Sequence, residues 1–203
     1  MVKAIAFDIG GVLIELDLDR CIHAFRDILG FERITELLDP SHQKGIYGEM
    51  EAGRLGADHF RELILAESRP GCTKADVDRA MAALLVGMPE ATVRVVKDLQ
   101  TRYPLYLLSN NNPISMARTY AIFRENGIEP KTAFKGEFIS WEMQLMKPSQ
   151  ACYREVIRRI GLPAREILFV DDNANNVEAA REAGLQARYY IPGSDLSLLL
   201  ADL

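Results

Sequence analysis

A chain of 203 residues, 48% hydrophobic and 26% charged, has room for one full core and an inserted subdomain and reads as an ordinary globular protein. Its net charge of −5, with no basic run, speaks against nucleic acid or an anionic membrane as the main partner; a small phosphorylated ligand stays open, because it needs only local positive charge. No apolar run is long enough to span a bilayer, Met1-Val2-Lys3 leaves no room for a signal peptide, and Cys21, Cys72 and Cys152 fit no metal-ligand spacing, so the expectation is a cytoplasmic protein with reduced thiols.

The chain opens on Ala4-Ile5-Ala6-Phe7-Asp8-Ile9-Gly10-Gly11-Val12-Leu13. Apolar residues run up to one carboxylate, and two glycines follow. The run reads as a buried strand of a parallel sheet, with Asp8 at its carboxyl end and a sharp turn just beyond. From Asp17 to Val86 the pattern is helical throughout. Helices are expected over Asp17–Gly30, Phe31–Asp39, Ser41–Gly53 and Ala57–Glu67, with a fifth from Thr73 through Leu85 opened by a Thr73/Asp76 capping box. His23, His42 and His59 are scattered through this block and read as surface or packing residues.

From Pro89 the pattern alternates. Helices are expected over Glu90–Arg102, from Pro113 to a stop at Gly127, from Lys147-Pro148 to Gly161, and over Asn173–Ala183. Strands are expected at Leu105–Leu108, Phe134–Ile139, Ile167–Val170 and Ala187–Ile191, with a final short helix after Ser194. This is an α/β protein, a doubly wound (Rossmann-like) parallel sheet with an inserted helical bundle. The expected division is 1–16 plus 87–203 as core and 17–86 as insert.

In such a sheet the strand ends share one edge. Here they carry Asp8, Ser109 and Asp171-Asp172, with Lys147 at a helix start on the same side. Each has an ordinary alternative: a turn or cap for Asp8, Ser109 and Asp171-Asp172, a solvated surface position for Lys147. Together they gather carboxylates, a hydroxyl and an ammonium. Clustered carboxylates repel unless a cation sits between them, and an all-oxygen set suggests Mg²⁺. Ser109 and the amides near Asn110, at a helix N-terminus, make an anion cradle. A cation beside an anion cradle suits a phosphoryl group.

Phe7-Asp8-Ile9-Gly10-Gly11-Val12, Leu107-Leu108-Ser109-Asn110, Lys147-Pro148 and Phe169-Val170-Asp171-Asp172-Asn173 resemble the four ordered motifs of the haloacid-dehalogenase-like superfamily, and the helical insert resembles its cap. The resemblance covers essentially the whole chain. Within the superfamily it is most similar to small sugar-phosphate phosphatases of the α-D-glucose-1-phosphate phosphatase type. It implies a Mg²⁺-dependent phosphatase of small phosphorylated metabolites. Asp8 would be the nucleophile and carry an aspartyl-phosphate. The Asp8 carboxylate, the Gly10 backbone carbonyl and Asp172 would hold the metal, with Asp171 assisting or behind it. Ser109 and Asn110 would hold phosphate oxygens, and Lys147 would bridge phosphate and Asp8.

Two departures stand out. Most phosphatases of this superfamily carry an acid two residues after the nucleophile, where this chain has Gly10; Glu15, Asp17 and Glu142 are within sequence reach as replacements. Asn176 stands where an acid often supports the metal. Tyr47, Glu51 and Arg54 are conceivable substrate contacts on the insert, although a solvated helix face explains them as well; Trp141 reads as core packing before sugar stacking. The competing readings are a metal-free 2-haloacid dehalogenase, which would not need adjacent acids at Asp171-Asp172, and a non-enzymatic ligand-binding member, which Gly10 would favour. Oligomeric state is not readable from the sequence.

Overall fold

A computed structural model describes residues 1–37 and 45–203. Five parallel strands form the central sheet: β1 (Ala4–Phe7), β4 (Leu105–Ser109), β5 (Phe134–Ile139), β6 (Ile167–Asp171) and β7 (Gln186–Tyr189), in spatial order β5-β4-β1-β6-β7. β1, β4 and β6 are buried along their whole length, as strands covered on both faces must be.

Side-chain alternation divides the core in two. Ile5, Phe7, Leu105, Leu107, Leu168 and Val170 face one layer, built from α6 (Glu90–Leu99), α7 (Pro113–Glu125) and α12 (Leu196–Leu199). Ala4, Ala6, Tyr106, Leu108, Ile167 and Phe169 face the other, built from α10 (Gln150–Ile160) and α11 (Ala174–Glu182). The result is an α/β doubly wound sheet with helices on both faces.

The insert holds α1 (Leu18–Ala24), a wide helical turn over Phe25–Leu29, α2 (Ile34–Leu37), α3 (Gly45–Glu51), α4 (Ala57–Ala66) and α5 (Lys74–Ala82). Phe25, Leu29, Met50, Phe60, Ile64, Val77 and Met81 make an apolar cluster of their own, joined from the sheet side by Ile114 of α7. The Thr73/Asp76 capping box forms as expected. The expected helix end at Asp39-Pro40, the start at Ser41 and His42 lie outside the described residues.

One expectation is corrected. Helix α5 ends at Ala82 rather than Leu85, and the insert does contain a strand: β3 (Leu85–Gly87) pairs antiparallel with β2 (Glu15–Leu16) where the chain leaves and rejoins the sheet. Strands of two and three residues are too short to show alternation, so pairing alone makes them. For the same reason the four-residue helices α8 (Pro130–Ala133) and α9 (Ser140–Met143) leave no periodic signal.

Candidate active site

Phe7 is in register with Leu107 on one side and Val170 on the other, which puts Asp8 one step past the strand, beside Asp171. The Asp8 backbone N–H still donates to the Val170 carbonyl (2.9 Å), so its backbone is fixed by the sheet. The chain then turns sharply: Gly11 N–H donates to Ile14 O (2.9 Å) with φ of 75° at Gly11. A Cβ on Gly11 would sit 2.0 Å from Asp172 Oδ2. Only glycine permits both that backbone and that approach.

Lys147 ties the carboxylates together. Its Nζ, on a side chain 1% exposed, lies 2.9 Å from Asp8 Oδ2 and 2.6 Å from Asp171 Oδ2. Asn110 aims it: Asn110 Nδ2 donates to the Lys147 carbonyl and Lys147 N–H donates to Asn110 Oδ1, both at 2.9 Å, across a cis Lys147-Pro148 bond. Burial pulls the ammonium pKa down, but Asp171 and Asp8 outweigh it and hold the lysine above its ordinary range. Burial pushes Asp8 up to about 7 against the pull of Lys147, with Asp171 and Asp172 adding to the rise.

The two adjacent acids differ in what they can still bind. Asp171 Oδ1 accepts from Asn173 N–H (2.7 Å) and Asn176 Nδ2 (3.1 Å), and its Oδ2 from Lys147 and Asn176 Nδ2 (3.1 Å). Its oxygens are occupied. Asp172 is half-buried, and burial followed by Asp171 raises its pKa. One carboxylate oxygen each of Asp8, Asp171 and Asp172 lie within 4.8 Å of one another. A hard, all-oxygen set drawn together against its own repulsion fits a divalent cation such as Mg²⁺; Asp8 carries one donor on each oxygen, Ile9 N–H on Oδ1 (2.7 Å) and Lys147 Nζ on Oδ2 (2.9 Å), and with Asp172 it borders the cavity. Asn176 borders the same cavity; its Nδ2 donates to both Asp171 oxygens, and its main-chain carbonyl accepts from Tyr153 Oη (2.8 Å).

Asp8, Lys147, Asp172 and Asn176 line one cavity of about 500 Å³ with Ser109, Asn110, Asn111, Ser115, Tyr47 and Glu51. Ser109 Oγ makes one long bond, 3.4 Å, to the Asn110 carbonyl. Asn112 caps α7 beside it, accepting from Ile114 and Ser115 N–H (3.1 and 3.0 Å). The cavity therefore joins a carboxylate cluster, a fixed ammonium and a hydroxyl next to a helix N-terminus.

The model of the haloacid dehalogenase-like hydrolases matches residues 2–184. The chain belongs to the haloacid dehalogenase-like hydrolases. A D-ribitol-5-phosphate phosphatase of Bacteroides thetaiotaomicron is 29% identical over 96% of this chain and 95% of its own. The crystal structure of a family enzyme from Bacteroides thetaiotaomicron in complex with magnesium and inorganic phosphate superposes with a TM-score of 0.90, at 30% identity, over 98% of this chain and 99% of that one. The L-2-haloacid dehalogenase of Xanthobacter autotrophicus shares the fold, with a TM-score of 0.67 at 21% identity over 100% of this chain and 84% of its own.

In this haloacid dehalogenase-like hydrolase, Asp8, Ser109, Asn110, Lys147 and Asp172 all border the cavity, as does Gly10, while Asp171 sits behind it on Lys147. Other expectations do not reach it. Arg54 is exposed and paired with Glu49 (2.7 Å). Asp17 caps α1 through Arg20 N–H (2.8 Å). Glu15 and Glu142 are exposed and outside the lining; Trp141 packs against the core, as expected. Glu51, by contrast, is 3% exposed and lines the cavity. Its burial was hidden in the sequence because the insert's helices face the sheet edge as well as each other.

Proposed function

We propose that this chain is a Mg²⁺-dependent phosphatase of small phosphorylated metabolites, of the sugar or alditol phosphate class, acting through an aspartyl-phosphate on Asp8. The observation that carries the reading is Lys147 Nζ, buried between Asp8 (2.9 Å) and Asp171 (2.6 Å) in the wall of the cavity. The likeness to a D-ribitol-5-phosphate phosphatase supports the substrate class, and the magnesium and phosphate complex of the Bacteroides enzyme supports the cofactor. An anomeric sugar 1-phosphate falls within the same class.

In this reading Asp8 and Asp172, with the Gly10 carbonyl, would hold the cation, which neutralises phosphate charge when bound. Lys147 draws a phosphate oxygen toward Asp8 and lowers the repulsion between two anions. Ser109 and Asn110 orient the remaining oxygens. Asp171 keeps Lys147 charged and in place. Residues 17–86 act as a cap over the core formed by 1–16 and 87–203, and close the cavity against water.

The test is phosphate release from a panel of alditol and sugar phosphates and from p-nitrophenyl phosphate, with Mg²⁺ or EDTA, on wild type and Asp8→Asn. Metal-dependent release, lost in the variant, is the expected result. Halide release from 2-chloropropionate, indifferent to EDTA, would replace this reading with the dehalogenase one.

A further inference from the structure

Transfer of an alkyl phosphate to Asp8 leaves an oxygen that needs a proton, and hydrolysis of the acyl phosphate needs a proton removed from water. The turn after Asp8 supplies neither. Gly10 has no side chain, and a Cβ there would lie 2.9 Å from Leu16 Cδ1. Among the described residues, five ionisable side chains border the cavity: Asp8, Tyr47, Glu51, Lys147 and Asp172. Lys147 is shared by two carboxylates, Asp8 is the nucleophile of the reading above, and Asp172 is turned to the cation site. Tyr47, with its pKa driven well above 10 by burial and by Glu51, keeps its proton.

From this geometry we infer that Glu51 of the insert is the acid–base group, protonating the leaving oxygen and then deprotonating the attacking water. The assignment rests on the phosphatase reading. Glu51 ends α3, and its side chain is 3% exposed with Oε2 lacking any hydrogen-bond partner among the described residues. A buried oxygen without a partner is costly, a penalty that a substrate hydroxyl or water in the cavity relieves. Its backbone is clamped to the core: the Glu51 carbonyl accepts from Ser140 Oγ (2.6 Å), which in turn accepts from Asn111 N–H (3.0 Å). Two residues on, a Cβ at Gly53 would lie 2.4 Å from the Trp141 carbonyl oxygen, so α3 meets the core in close contact. The carboxyl is therefore held over the sheet edge rather than left to follow the insert.

The groups facing it suit the task. Burial raises Glu51 to about 7; Tyr47, one turn earlier on α3, lowers it by hydrogen bonding, Asp8 just past β1 raises it, and Lys147 lowers it. Cys21 of α1 adds to the rise at Tyr47. Near neutral pH such a carboxyl both gives and takes a proton. In the first step an Asp8 oxygen forms a bond to phosphorus, the P–O bond to the alcohol breaks, and the Glu51 proton passes to the departing oxygen. In the second, water attacks phosphorus and gives a proton to the Glu51 carboxylate. The Asp8–phosphorus bond breaks, releasing inorganic phosphate and restoring both side chains.

The experiment compares wild type, Glu51→Gln and Glu51→Asp, all with Mg²⁺, on D-ribitol 5-phosphate and on p-nitrophenyl phosphate. The second substrate's leaving group needs no proton. The expected result for Glu51→Gln is a fall of about 10²–10⁴-fold in kcat/KM for ribitol phosphate, with kcat/KM for p-nitrophenyl phosphate within about threefold of wild type. A burst of p-nitrophenol should accompany it, because the phosphoenzyme is no longer hydrolysed quickly. Glu51→Asp, which keeps the carboxyl, should recover part of the loss on ribitol phosphate and covers the case in which the glutamine variant does not fold. Equal losses on both substrates, or none on either, would overturn the assignment while leaving the phosphatase reading intact. A wild type inert toward both would overturn the reading and the assignment with it.

Discussion

Replacing Lys147 with methionine removes a charge while keeping most of the side-chain volume, so its effect reads electrostatics rather than a cavity. The ammonium sits 2.6 Å from Asp171 and 2.9 Å from Asp8, and Asp171 is fully buried. Without it, Asp171 keeps only the Asn173 and Asn176 donors, and Asp8 stands beside two acids with no cation. Removing one partner of a buried ion pair costs about 3–5 kcal/mol. The lost contact of Nζ with the Phe169 ring, 5.3 Å from its centroid, adds about 1 kcal/mol. For a chain of this size that is about 10 °C or more in melting temperature. The sign with pH follows from Asp8, whose folded value of about 7 lies above its ordinary 3.8 even with Lys147 present. A carboxyl raised on folding carries no penalty below its unfolded value and the full penalty above its folded one. Loss of the lysine raises it further, so the Asp8 part of the destabilisation is absent below about pH 7, where the carboxyl is protonated with or without the lysine, and grows above that pH. Urea unfolding in EDTA at pH 4.5 and pH 8 measures both. A loss below about 1 kcal/mol at pH 8, or the same loss at both pH values, would refute the charge argument.

Asp8→Asn should act in the opposite direction: it leaves Lys147 paired with Asp171 alone, and the rise from 3.8 to about 7 caps the gain in stability at about 4 kcal/mol at pH 8 in EDTA. A lower melting temperature by calorimetry would contradict this. Gly11→Ala places a Cβ 2.0 Å from Asp172 Oδ2 at a φ of 75°, and should weaken Mg²⁺ binding in titration calorimetry and cost about 1–3 kcal/mol of stability. Mg²⁺ affinity equal to wild type would show that Asp172 is not a ligand. Cys21 and Cys152 are buried, and burial pushes their thiols up to about 12 and about 11. Iodoacetamide at pH 8 should therefore mark the half-buried Cys72 well before either, as read by peptide mass spectrometry.

Where the polypeptide ends its strands was legible without a structure. A strand buried on both faces must be apolar throughout, so the first polar residue after it marks the sheet edge, as at Asp8, Ser109 and Asp171. Glycines at a stop and asparagines at a start set the helix limits in the same local way, as Gly161 and Asn173 do. The short ribbon of Glu15–Leu16 and Leu85–Gly87 was not legible, because pairing between residues some seventy positions apart creates it. The difference between neighbours Asp171 and Asp172 came from the family resemblance, which put Asp172 on the metal, and not from the residues themselves. Sequence offers two identical carboxylates; only the packing of Lys147, Asn173 and Asn176 around one of them fills its oxygens and leaves the other to face the cavity. Glu51 and Arg54 pose the same problem on the insert. Both sit among helical residues with polar neighbours, yet one is sealed against the sheet edge and the other lies in solvent paired with Glu49. Local propensity sets where an element starts and stops, because its energetics involve residues a few positions apart. Which side chain keeps its charge, its partner and its access is a property of the assembled interior, where distances no longer follow the chain.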